Sequence, residues 1–231
     1  MVRRLVLWDI DGTLVRTGPV GAEVFDTALE RVLGRLPETR VLMSGKTDPQ
    51  IVREYLELLD EDDPGAIPEV LGHLELELAA ASHRIAAEGQ VCPGVPALLE
   101  RLAGCGGVAQ SVLTGNIAPN AVLKLSAFGL ERWIDLEAGA FGSDHEDRRE
   151  LVGVALRRQR ELRGRAFSAE ETWVVGDTPN DLACARAGGT RCALVATGRY
   201  GLEELAAAGP DAAFADLADT DAVVEVLTAA S

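Results

Sequence analysis

Short apolar runs that stop abruptly at polar, glycine-containing turns punctuate the chain. Residues 2–8 form one such run, ending at Asp9. Val108–Leu113 is a second, followed by Thr114, Gly115 and Asn116. Residues 172–175 are a third, followed by Gly176, Asp177, Thr178 and Pro179, and residues 192–195 are a fourth. Ala212–Phe214 offers a short fifth. Runs of this length, rich in Val, Leu and Trp and bounded by turn residues, predict buried strands. Amphipathic stretches lie between them, at 95–102, 119–128, 150–162, 180–187 and 202–208. The first follows Pro93-Gly94 and the second ends at Gly129, which suits a C-terminal cap. The Ala-rich end of the chain also reads as a helix.

Strand, polar turn and helix in alternation predict an α/β fold, a Rossmann-like parallel sheet with helices on both faces. One region departs from the alternation. Between residues 17 and 88 the pattern is helical throughout, with candidate helices at 22–33, 49–59 and 68–87. Gly18-Pro19-Val20-Gly21 and Glu88-Gly89 form flexible points at its ends. The expected organisation is therefore a core of 1–16 and 89–231 with an inserted α-helical cap at 17–88. Either a mobile lid over the carboxyl edge of the sheet or a fixed helical part of one domain satisfies this pattern.

The 231 residues suffice for one large domain with such an insertion. Apolar residues make up 47% and charged residues 26%, the balance of a globular protein rather than of a disordered one. The formal net charge of −15 repels polyanions and argues against nucleic acid as a partner. It does not exclude a small phosphorylated metabolite, since a local pocket can hold cations. Cys92, Cys105, Cys184 and Cys192 contain no C-x-x-C pair, so a zinc ribbon or dithiol motif has no support and free thiols in a cytoplasmic protein are expected. The apolar run near the N-terminus stops at Asp9, too soon for a signal peptide, and no run reaches membrane-spanning length.

Chemistry concentrates at the predicted strand ends. Asp9-Ile10-Asp11-Gly12-Thr13-Leu14 sets two carboxylates two residues apart, one able to act as nucleophile and the other to manage protons. Thr114, Gly115 and Asn116 offer a hydroxyl and backbone N–H groups of the kind that hold phosphate oxygens. Asp177 and Asp181 supply two further carboxylates, suited to a hard cation. Taken singly, each segment also reads as an ordinary turn or helix cap. In a parallel sheet, however, all three would converge on one edge.

The set D-x-D-G-T, hydrophobic-T-G-N and G-D-x-x-x-D, in that order, resembles the haloacid dehalogenase superfamily, and specifically its phosphoglycolate phosphatase-like and β-phosphoglucomutase-like members with a helical cap. Cys92-Pro93-Gly94-Val95 resembles that family's return from the cap. The resemblance implies a phosphohydrolase acting on small phosphate monoesters through an aspartyl-phosphate on Asp9. Asp11 would serve as acid and base, and Mg²⁺ would be held by Asp9, the main-chain carbonyl of Asp11 and Asp177, with Asp181 orienting metal-bound water. Thr114 with Gly115 or Asn116 would hold the phosphoryl oxygens.

The family's usual lysine before the G-D-x-x-x-D motif is missing. Residues 142–149 contain no lysine, which leaves Arg148 as the favoured cation, with Arg149 beside it and Lys124 as a solvated mid-helix alternative. Lys46, in the cap turn Gly45-Lys46-Thr47-Asp48, is read as a candidate substrate contact, while Thr47 or Asp48 caps the helix that follows. A phosphomutase keeps the same carboxylates, phosphonate cleavage would need Lys46 as a Schiff-base amine, and a binding protein would have no use for the intact aspartate set.

Overall fold

The computed structural model describes residues 3–229. Along the chain it runs β1 (Arg4–Trp8), β2 (Val15–Arg16), α1 (Val20–Leu33), α2 (Asp48–Leu58), α3 (Ala66–Ala80), α4 (Ser82–Glu88) and β3 (Gln90–Val91). There follow α5 (Val95–Ala103), β4 (Val108–Leu113), α6 (Ala118–Ser126), β5 (Asp135–Ala140), α7 (Leu151–Arg163), β6 (Thr172–Gly176) and α8 (Pro179–Ala187). The chain ends with β7 (Arg191–Val195), α9 (Leu202–Ala207), β8 (Ala212–Phe214) and α10 (Thr220–Thr228). Val2, the first residue of the first expected strand, lies outside the described residues.

Six strands form one parallel sheet in the order β5-β4-β1-β6-β7-β8. β1 is central and buried along its whole length, which is why it reads as a continuous apolar run rather than an alternating one. Its side chains still divide between two layers. Val6 and Trp8 pack with the cluster containing Leu98, Leu102, Leu125 and Leu227, while Leu5 and Leu7 join Leu151, Leu182 and Leu205 on the other face. The strand order reverses beside β1, between the β1–β4 and β1–β6 pairs. Asp9, Thr114 and Asp177 therefore leave adjacent strands at the same carboxyl edge, the crevice where open α/β sheets bind ligands.

β5 escapes the sequence pattern. It is an edge strand with the sequence Asp-Leu-Glu-Ala-Gly-Ala, and its pairing with β4 carries an irregularity between Ser111 and Leu113. An edge strand needs one neighbour and tolerates the polar residues that a central strand does not.

Helices α1–α4 surround a third core of Phe25, Leu29, Tyr55, Val70, Leu74, Leu78 and Ile85, against which Leu123, Ala127 and Phe128 of the α6 region also pack. The stretch expected as one helix at 68–87 is two, α3 and α4, divided at Ala81. The break redirects the chain so that Ile85 reaches the helical core and Arg84 bonds Glu23 of α1. Two short strands that the sequence pattern does not reveal stand at the base of this layer. β2 and β3 pair antiparallel, Val15 with Val91 and Arg16 with Gln90. Gly18 lies beside them, where a Cβ would come within 2.7 Å of the Glu88 carbonyl. The two flexible points thus touch each other. The four cysteines are free, and among the described residues no helix is long and apolar enough to cross a membrane.

Candidate active site

Asp9 follows β1 directly, and its N–H donates to the Val175 carbonyl at 2.9 Å, which fixes the strand end against β6. Gly12 then turns the chain at φ +86°; a Cβ there would lie 2.4 Å from Oδ2 of Asp177, so only glycine lets the Asp9 and Asp177 segments approach this closely. Asp9, Asp177 and Asp181 are buried, and each offers a carboxylate oxygen within 4.8 Å of the others.

This concentration of negative charge has electrostatic consequences. Burial pushes the Asp9 carboxyl up, opposed by Arg148 and reinforced by Asp181 and Asp11. Burial followed by repulsion from Asp9 pushes Asp177 up further. Such a set binds a proton or a cation, and all-oxygen donors fit a hard divalent ion such as Mg²⁺. Asp9 and Asp177 are the members that could hold such an ion. The carboxylate of Asp181 is engaged elsewhere: Oδ1 accepts from Arg148 at 2.5 Å, and Oδ2 accepts from the N–H and hydroxyl of Thr178 at 3.0 and 2.7 Å, in a capping box at the start of α8.

Arg148 is 5% exposed and lies between two carboxylates, Nη2 being 3.0 Å from Oδ1 of Asp9 and 2.5 Å from Oδ1 of Asp181. Burial opposes its charge, but Asp181 and Asp9 more than compensate and raise its pKa. Arg149 points away and bonds its own neighbour Asp147. The structure therefore separates the two arginines that the sequence left side by side.

Lys124 is not solvated, contrary to the expectation for a mid-helix lysine. It is 8% exposed, and Nζ donates to Oδ2 of Asp11 at 2.7 Å and to Oδ1 of Asn116 at 2.6 Å. Asn116 in turn donates from Nδ2 to the same Asp11 oxygen at 2.7 Å and to the Thr114 hydroxyl at 2.8 Å. Two cations thus flank the carboxylates at the end of β1, Arg148 beside Asp9 and Lys124 beside Asp11. On α6 Lys124 shares the buried face with Asn120, Ala121 and Leu125, a placement that the polar Asn120 and Lys124 do not betray in the sequence.

The cap turn descends onto this edge. A Cβ on Gly115 would lie 2.0 Å from the Lys46 carbonyl, so the two backbones are in direct contact. Thr47 caps α2 by accepting from Gln50 N–H at 3.3 Å, and its hydroxyl donates to the Glu146 carbonyl at 2.6 Å. Asp48 does not cap α2; it is buried, and its Oδ2 accepts from the Ile117 N–H at 2.8 Å. Burial pushes its carboxyl up to about 6, against the pull of Lys124. Lys46 lines the cleft, yet its ammonium pairs with Glu54. It is not the free amine that Schiff-base chemistry requires.

Core and cap together enclose a cleft of about 440 Å³. Asp9, Asp11, Thr114, Lys124, Arg148 and Asp177 form its polar end; Ala22, Phe25, Met43 and Ile51 of the cap region supply apolar wall. Arg16 and Arg199 also line it, and neither stood out in the sequence. Arg16 bonds the Thr197 carbonyl through Nε at 2.7 Å.

Comparisons with known proteins agree with this fold. The probable phosphatase IndB of Dickeya dadantii (strain 3937) is 28% identical over 213 residues, covering 90% of this chain and 88% of the relative. CbbY from Rhodobacter sphaeroides, solved in complex with phosphate, superposes with a TM-score of 0.71 at 22% identity, covering 95% of this chain and 96% of that one. A hydrolase from Pseudomonas syringae gives 0.74 at 19% identity, with 96% and 98% covered. The family model of haloacid dehalogenase-like hydrolases matches residues 6–186, a span that includes the Asp9, Thr114, Arg148 and Asp177 segments, and the chain belongs to that family.

Proposed function

We propose that the chain is a Mg²⁺-dependent phosphatase that hydrolyses phosphate monoesters of small metabolites through an aspartyl-phosphate on Asp9. The observation that carries this reading is the arrangement around two carboxylates of one strand end. Asp9 is buried among Asp177, Asp181 and Arg148, and Asp11, two residues on, faces the same cleft beside Lys124. The relative IndB, named a probable phosphatase, supports the same reaction class.

In this reading the Asp9 carboxylate attacks phosphorus and the ester oxygen leaves with the P–O electron pair. Arg148, held by Asp181, shields the charge that accumulates as an anionic nucleophile meets an anionic phosphate. Both hydrogen bonds to Asp11 land on Oδ2, from Asn116 and Lys124. Oδ1 is then available to deliver a proton to the leaving oxygen and later to take one from the attacking water. The Thr114 hydroxyl and the N–H groups of Gly115 and Asn116 orient the phosphoryl oxygens. Asp9 and Asp177 would hold a divalent cation, which would supply neutralising charge between the nucleophile and the phosphate. The cap at 17–88 acts as a lid hinged at the β2–β3 pair, and Lys46 in its turn contacts the leaving part of the substrate.

Hydrolysis of an aryl phosphate tests the proposal. Turnover is expected with Mg²⁺ and is lost in excess chelator and in Asp9→Asn; rapid-quench labelling of Asp9 shows the intermediate. Full activity in chelator would remove the metal from the reading, and absent labelling with a fast substrate would remove the covalent route.

A further inference from the structure

Three backbone segments stack at the carboxyl edge: the cap turn 45–48, the loop 114–117 after β4, and the loop 141–147 after β5. Gly142 N–H donates to the Asn116 carbonyl at 2.8 Å, and a Cβ on Gly142 would lie 2.0 Å from the Gly115 carbonyl oxygen. From the other side Asp48 clamps the middle segment twice. Its N–H donates to the Gly115 carbonyl at 2.8 Å, and its side-chain Oδ2 accepts from the Ile117 N–H at 2.8 Å. The residues bracketed by this clamp are Gly115 and Asn116, which the proposed function assigns to the phosphoryl group. Asp48 is 8% exposed, and Ile117 is the residue that precedes α6, so the bond also fixes where that helix starts.

We infer that Asp48 is a positioning residue through which the cap turn and the phosphoryl-binding loop 114–117 close as one unit. This rests on the phosphatase reading of the loop. Without the cap docked, the Ile117 N–H and Gly115 carbonyl lose their partners and the loop is free to leave the form that faces the cleft. A buried donor stripped of its acceptor is disfavoured, so loop and cap move together. The consequence is size selection expressed in kcat. A leaving group large enough to prop the turn away from Gly115 also releases the groups that hold the phosphoryl oxygens.

Hydrogen exchange on the wild-type protein, with Mg²⁺ and inorganic phosphate as the probe, tests the coupling. Phosphate is expected to slow exchange both in residues 113–118 and in residues 43–49. Protection of 113–118 with no change in 43–49 overturns the coupling and leaves the phosphatase reading standing. No protection of either segment removes the loop from phosphate binding and takes both ideas with it. Kinetics supply the second arm, at a temperature where each variant is folded by circular dichroism. Asp48→Ala should lower kcat for an aryl phosphate by about tenfold, the effect of leaving one buried N–H unbonded. Asp48→Asn keeps an acceptor for Ile117 N–H and should recover most of that loss. Wild-type kcat in a folded Asp48→Ala protein would show that the bond serves stability alone.

Discussion

Lys124 places its ammonium nitrogen 2.7 Å from Oδ2 of Asp11 and 2.6 Å from the side-chain oxygen of Asn116, on a residue that is 8% exposed. One cation thereby ties the proposed acid–base carboxylate to the phosphoryl-binding loop. Lys124→Met, which preserves most of the volume, should reduce kcat/KM by about 10- to 100-fold, the range for losing a charged hydrogen bond. Steady-state kinetics on an aryl phosphate measure it. A change below twofold would show that Asn116 alone suffices to hold Asp11.

Arg148 and Arg149 should part company in a way their adjacency hides. Arg148→Ala leaves Asp9 and Asp181 without a counter-charge in the interior, a change that costs about 3–5 kcal/mol of stability when a buried pair is broken. Activity should fall with it even where the variant is folded. Arg149→Ala removes an exposed pair with Asp147, which solvent screens, and should leave the melting temperature essentially unchanged. Thermal denaturation and kinetics on both variants decide; matched, mild effects would place the essential cation elsewhere.

The buried carboxylates give the metal-free protein a defined pH response. Asp9 rises from 3.8 to about 6 and Asp177 from 3.8 to about 8, chiefly through burial. Between those limits the folded state holds more protons than the unfolded chain, so its stability is greatest below about pH 4 for these groups and falls as pH rises toward 8. Mg²⁺ should raise Tm more at pH 8 than at pH 5. Asp177→Asn should raise the metal-free Tm at pH 8 by about 2–4 °C, the shift for ~1 kcal/mol in a domain of this size, while abolishing metal-dependent turnover. Calorimetry with and without chelator checks the sign; a metal-free Tm that climbs between pH 5 and pH 8 would contradict it.

Lys46 and Glu54 offer a test of specificity. The ammonium lines the cleft but is paired with Glu54, which also accepts from Gln50. Glu54→Gln should free Lys46 and improve kcat/KM for a phosphate ester carrying a carboxylate by about 2- to 5-fold relative to a plain aryl phosphate, as expected for one partly exposed charge. Lys46→Ala should move the same ratio in the opposite direction. A ratio unmoved by both changes would leave Lys46 as a cap-stabilising residue only.

The pattern of apolar runs and polar turns was enough to predict the parallel sheet, the helical insertion and the convergence of Asp9, Thr114 and Asp177. Strand burial and chain-end chemistry are local properties: a run such as β1 must be buried on both faces, and its terminal Asp must lie at the sheet edge. β5 and the β2–β3 pair were not legible. A polar edge strand and a pair of two-residue strands acquire their identity only from the partner each finds. The fates of Arg148, Lys124 and Asp48 were likewise decided by tertiary structure. Each is a charged residue that the sequence shows on a helix or beside one, where solvent or a local cap is its ordinary partner. Whether it instead faces a carboxylate or an orphan N–H more than 30 positions away depends on which elements the fold packs together. Burial then turns that contact into a requirement, because a charge removed from water has to be answered by the protein.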